Sequence, residues 1–130
     1  MLIFGHPHLA SDPFYHIDSP EAIATTPAGS TVLFAWGIAN LDLVSYCNAN
    51  DIPFALEAGS VKEALFAENA GARFILVESA LAPSVQKVAE TYLFDAKVLA
   101  YIEDETQIEA MAFEGIDGVV FAEAVIKVTG

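Results

Sequence analysis

A chain of 130 residues can bury one hydrophobic core, which points to a single domain over residues 1–130 and excludes a complete eight-unit (βα)-barrel, which needs about 250 residues. Hydrophobic residues make up 55% of it, yet no apolar run approaches the roughly 20 residues of a membrane span, and the opening MLIFGHPHLA has neither the basic start nor the apolar stretch of a signal peptide. Eighteen acids against five bases leave a formal net charge of −13, and Lys62, Arg73, Lys87, Lys97 and Lys127 stand singly, so the chain offers nucleic acid and anionic membranes no basic footprint.

These features describe a cytoplasmic protein with more apolar side chain than one small core needs. The surplus predicts a homo-oligomer, and Phe66 and Phe113 fall on helix positions facing away from the core. Cys47 is the single cysteine, so no intrachain disulfide forms, and its neighbours Val44 and Tyr46 suggest a packed thiol.

The first thirty residues read as an irregular section. MLIF and FYHI fit short strands, but Pro7, Pro13, Pro20 and Pro27 break the segment into pieces too short for long elements. From Thr31 onward, apolar runs alternate with helical stretches of about ten residues, the pattern of βα units. The runs TVLFAW (31–36), IPFALE (52–57), RFILVE (73–78), KVLAYIE (97–103) and DGVVFA (117–122) lack in/out alternation, as strands covered on both faces do. Helices are expected near 40–49, after Ser60, near 80–94 and after Thr106. Ser60 with Glu63, and Thr106 with Glu109, each fit a capping box. Asn50-Asp51, Gly71 and Gly115 stand where helices should stop. The expected architecture is a mostly parallel sheet of about five strands with helices on both faces, either flavodoxin-like or an open half-barrel.

Residues 51–83, DIPFALEAGSVKEALFAENAGARFILVESALAP, resemble the central βαβ stretch of keto-deoxy-phosphogluconate aldolases, a (βα)-barrel family. The resemblance implies a barrel-type fold without the activity, because Leu76 stands where that family has its Schiff-base lysine, and leucine forms no imine. Residues 115–128, GIDGVVFAEAVIKV, are similar to the phosphate-binding end of barrels such as the tryptophan synthase alpha subunit. Ala122-Glu123 replaces the Gly-Ser pair there, and a carboxylate at that position repels phosphate.

In parallel sheets ligands bind beyond the carboxyl ends of the strands. Four consecutive expected strands end in an acid, namely Glu57, Glu78, Glu103 and Glu123, with Trp36 and Asn40 at the end of the first confident strand. Capping of the following helices is the stronger explanation of acids at these places. If at least two of the four converge, they form a concave site for a cation. A second candidate is His6, His8 and His16 with Asp12, a ligand set suited to a divalent metal ion, the one cofactor this sequence suggests. No nucleophile triad, P-loop or dinucleotide fingerprint is present. The leading expectation is therefore a non-enzymatic or regulatory oligomeric domain. Its rival is a small enzyme or binding protein that uses the acidic rim for a divalent cation or a cationic small molecule.

Overall fold

In the computed structural model, which describes residues 1–129, eight strands form one sheet in which every neighbouring pair is parallel. The elements are β1 (Leu2–Phe4), β2 (Phe14–His16), α1 (Pro20–Ile23), β3 (Thr31–Ala35), α2 (Leu41–Ala49), β4 (Phe54–Glu57), α3 (Val61–Ala70), β5 (Phe74–Glu78), α4 (Ala82–Thr91), β6 (Lys97–Tyr101), α5 (Thr106–Phe113), β7 (Gly118–Val120) and β8 (Val125–Lys127). Single 3-10 turns lie at Ile38–Asn40 and Ala122–Ala124. Their order across the sheet is β1-β7-β6-β5-β4-β3-β2-β8.

The α/β class and parallel sheet agree with the expectation, but the strands number eight, not about five. Beyond β3 to β7, β1 and β2 fall on the MLIF and FYHI segments that fit short strands, and β8 is added from the end of the chain. Each is three residues long and takes its hydrogen bonds from a distant segment: β1 lies against β7, with Leu2 opposite Gly118, and β8 against β2, with Val125 opposite Phe14. A strand that short carries no measurable period of its own, so only its partner defines it.

The sheet curls into a half-barrel. Phe4 on β1, Phe14 on β2 and Phe74 on β5 are far apart in strand order, yet their rings meet with centroids 5.0 to 5.7 Å apart. They pack with Leu33, Leu76, Leu99 and Val120 in a cluster that receives no residue from α1–α5. Residues alternating with these, such as Phe34, Leu56, Ile75, Val77 and Val98, join helix side chains including Leu43, Ala64, Ala67 and Val85 in the main core. Both faces of the sheet are thus covered, as continuous apolar strands require. Helices cover the convex one, and the sheet's own curvature covers the concave one, where helices were expected on both faces.

Two glycines permit the tight curvature. At Gly118, a Cβ would lie 2.6 Å from Leu99 Cδ2 and 2.8 Å from the Leu2 carbonyl oxygen. Gly5 has φ +86°, and its absent Cβ makes room for the Ala124 amide nitrogen at 2.9 Å, where the end of β1 meets the turn that leads into β8.

Candidate functional site: the concave mouth

Strand alternation decides which polar side chains enter the half-barrel. On β4, Phe54 and Leu56 face the helices while Ala55 faces the concave side, and Glu57 follows in phase with Ala55. By the same alternation, His16 follows Phe14 on β2, Glu78 follows Leu76 on β5, and Tyr101 follows Leu99 on β6. Because the strands are parallel, all four side chains reach the mouth formed by the carboxyl ends of the strands. Glu78 and Tyr101 are register partners.

The centre of this group is the Glu57 carboxylate. Tyr101 donates its hydroxyl to Glu57 Oε2 at 2.6 Å, and His16 Nε2 lies 3.7 Å from Glu57 Oε1. Burial holds the Tyr101 hydroxyl well above the usual phenol range, reinforced by its hydrogen bond to Glu57 and the negative charges of Glu57 and Glu78. Lys127 is the register partner of His16 and adds one positive group on the same face.

Helix capping does not account for Glu57. The first turn of α3 is satisfied by Ser60, whose Oγ accepts from the Glu63 amide at 3.1 Å, and by Glu63, whose Oε1 accepts from the Gly59 amide at 2.8 Å. The Ser60 cap expected there is present, with the Glu63 carboxylate taking the Gly59 amide in place of the Ser60 amide of a full capping box, and Glu57 is released to bond across the sheet.

The other expected rim residues separate. Glu103 lies beyond the end of β6 in the entry to α5, where its amide donates to Gln107 Oε1 at 2.7 Å, and Glu123 is exposed in the turn before β8. Trp36 packs on the helix side, its ring 5.4 Å from that of Phe66. The Asn40 amide donates to the Ala35 carbonyl at 2.8 Å.

The histidine and Asp12 set divides, with the His6 and His8 rings together at 5.4 Å between centroids and His16 and Asp12 elsewhere. His6 uses both ring nitrogens locally, with Nε2 bonded to Glu105 and Nδ1 accepting the His8 amide at 3.1 Å. His16 joins Glu57 through β2, and Asp12 precedes the same strand and lies at its opposite end. Among the described residues, no three His, Cys, Asp or Glu side chains are grouped to hold a metal ion.

Tyr101 and Lys127 are the site residues that the sequence reading passed over. The signal for Tyr101 was a polar-tipped aromatic in phase with Leu99, masked because the run KVLAYIE extends past the true strand end to Glu103. Lys127 had no comparable signal, since β8 is defined only by its pairing with β2. Compared with known proteins, the sequence matches no family model and no curated protein.

Proposed function

We propose that the protein binds a small cationic molecule at the concave mouth, with Glu57 and Glu78 supplying charge and Tyr101 and His16 orienting the ligand. The observation that carries this reading is the Glu57 carboxylate held across the sheet by Tyr101 at 2.6 Å. A carboxylate held by one neutral donor leaves its remaining lone pairs for a ligand. An organic cation suits the group better than a metal ion, because among the described residues no three His, Cys, Asp or Glu side chains are grouped to supply a metal's ligand set. A sugar-phosphate lyase role does not fit. Leu76, in the aldolase lysine's place, is fully buried on the concave face, and Glu123 remains a carboxylate where phosphate would bind.

Titration calorimetry with butane-1,4-diamine, butylamine and magnesium ion tests the reading. The diamine should bind more tightly than magnesium, and Glu57→Gln should weaken it about tenfold or more, the effect of losing roughly 1.5 to 3 kcal/mol of charge-assisted hydrogen bonding. Equal affinity in the wild type and the E57Q variant, or no heat with either amine, refutes it.

A second reading, a non-enzymatic domain that acts as a cytoplasmic homo-oligomer, is favoured by a separate observation. Phe113 at the end of α5 is 88% exposed, and Leu93 just past α4 is 83% exposed. Side chains this apolar and open suit a second copy of the chain, and the molar mass in solution checks it. Among the described residues no helix is long and apolar enough to cross a membrane, and the buried Cys47 thiol is compatible with a reducing compartment.

A further inference from the structure

The opposite end of the half-barrel holds a cleft with a different chemistry. Its volume is about 380 Å³, and it lies at the amino ends of β2, β3 and β5, beside the Pro27–Ser30 loop. Phe4 and Phe74 line it, half-buried, over the fully buried Phe14, with ring planes 80° apart for Phe4 and Phe74 and 85° apart for Phe14 and Phe74. Such edge-to-face rings leave faces and edges for another aromatic group. Ser30 is fixed on the loop by its amide and hydroxyl, which donate to the Pro27 carbonyl at 3.1 and 2.6 Å.

The charges in this cleft are unusual for the chain. Arg73 is the only arginine among 18 acids, and Asp12 lines the same cleft. Among the described residues neither is in an ion pair; the two ion pairs present are His6 with Glu105 and His16 with Glu57. Arg73 stands at the edge between this cleft and a second one beside Cys47 and Asp51, and both Arg73 and Asp12 line the first cleft without an ion-pair partner among the described residues. The guanidinium fork matches a carboxylate bidentately, and the separated Asp12 matches an ammonium group.

We infer that this cleft is a binding site for a zwitterion with an aromatic group, of the aromatic α-amino acid type. The ligand carboxylate pairs with Arg73, its ammonium with Asp12, and its ring packs against Phe4 and Phe74. The volume falls in the range of about 300 to 1,000 Å³ common for small-molecule sites. The site is independent of the concave mouth, from which β2 and β5 separate it along their lengths.

The test is an amide NMR titration of the full chain with L-phenylalanine, 3-phenylpropionate and 2-phenylethylamine. Phenylalanine should move the amide signals of Gly29, Ser30, Thr31 and Phe74, and should bind at least tenfold more tightly than either analogue. Arg73→Gln should weaken phenylalanine and phenylpropionate at least tenfold and leave phenylethylamine unchanged, while Asp12→Asn does the reverse for the two analogues. Arg73→Lys, which keeps the charge without the fork, should fall between wild type and R73Q, and signal dispersion shows that each variant is folded. The E57Q variant should bind phenylalanine as the wild type does, so failure at the mouth and failure at this cleft are told apart. No shifts at millimolar phenylalanine, undiminished binding in folded R73Q, or shifts centred on Glu57 and Tyr101 would each overturn the assignment.

Discussion

Tyr101 and Cys47 show how burial raises the proton affinity of single side chains in this fold. Cys47 on α2 has no solvent exposure, and burial pushes its thiol up to about 11 from an ordinary 9.0. Tyr101 is raised in the same direction, first by burial and then by Glu57. Both groups are acids whose neutral form the fold prefers, so the folded chain retains protons that the unfolded chain releases. Their contribution to stability is therefore complete below pH 9, and it declines as pH rises through 9.0 toward 11 for the thiol and from 10.0 upward for the phenol. Urea midpoints at pH 8, 9.5 and 10.5 should fall in that order. Cys47→Ala should flatten the first part of the decline and Tyr101→Phe the second. A midpoint that holds steady from pH 8 to 10.5 in the wild type contradicts both assignments.

Among the elements, α5 separates what local sequence decides from what it leaves open. The segment Asp104-Glu105-Thr106-Gln107-Ile108-Glu109 contains two overlapping capping patterns, Thr106 with Glu109 and Asp104 with Gln107. The structure uses the second. Asp104 Oδ1 accepts from the Thr106 amide at 2.9 Å and from its hydroxyl, while Gln107 Oε1 accepts from the amides of Glu103 and Asp104. The hydrogen bonds from Thr106 hold the Asp104 carboxyl below the ordinary aspartate range. Asp104→Ala should accordingly lower stability more than Thr106→Ala does, because it removes the acceptor of both bonds from Thr106. Thermal or urea unfolding of the two variants checks this, and the opposite ranking would restore Thr106 as the cap.

The same contrast explains which other elements were legible. The Ser60 cap and the left-handed Gly71 that ends α3 depend on neighbours within one turn, and both are found where the sequence places them. β3 to β7 lie in runs with enough consecutive apolar residues to be recognised. β8 does not, because Val125–Lys127 becomes a strand only through pairing with β2 at the other end of the chain. The candidate site follows the same rule. That Glu57 and Glu78 end strands was readable, whereas their meeting with Tyr101 and His16 depends on strand order and on curl. Both involve contacts between distant segments, such as those among Phe4, Phe14 and Phe74, which no local pattern reports.

At the scale of the whole molecule, two opposing terms decide whether the chain stands alone. A net charge of −13 makes any two copies repel, and among the described residues no Lys or Arg takes part in an ion pair that would localise that charge. Against this stand the open apolar side chains at one end of the helical layer. Tyr92 and Leu93 follow α4, and Phe113 ends α5. The ends of these helices are neighbours, since a Cβ on Gly115 would approach Glu90 Oε1 to 3.9 Å. Each large apolar side chain fully withdrawn from water contributes about 1.5 to 3 kcal/mol, so three of them on each copy are enough to drive association once repulsion is reduced. The Debye length shrinks from about 30 Å at 0.01 M salt to about 3 Å at 1 M, which removes the long-range repulsion and leaves the apolar term intact. Light scattering at high micromolar protein should therefore give a monomer mass at low salt and a dimer or larger at 0.5 M sodium chloride. Phe113→Ser should shift that transition to higher protein concentration without lowering the unfolding temperature, because an exposed phenylalanine contributes little to the core. A monomer mass at every salt concentration would leave these side chains without a partner copy and remove the oligomeric reading.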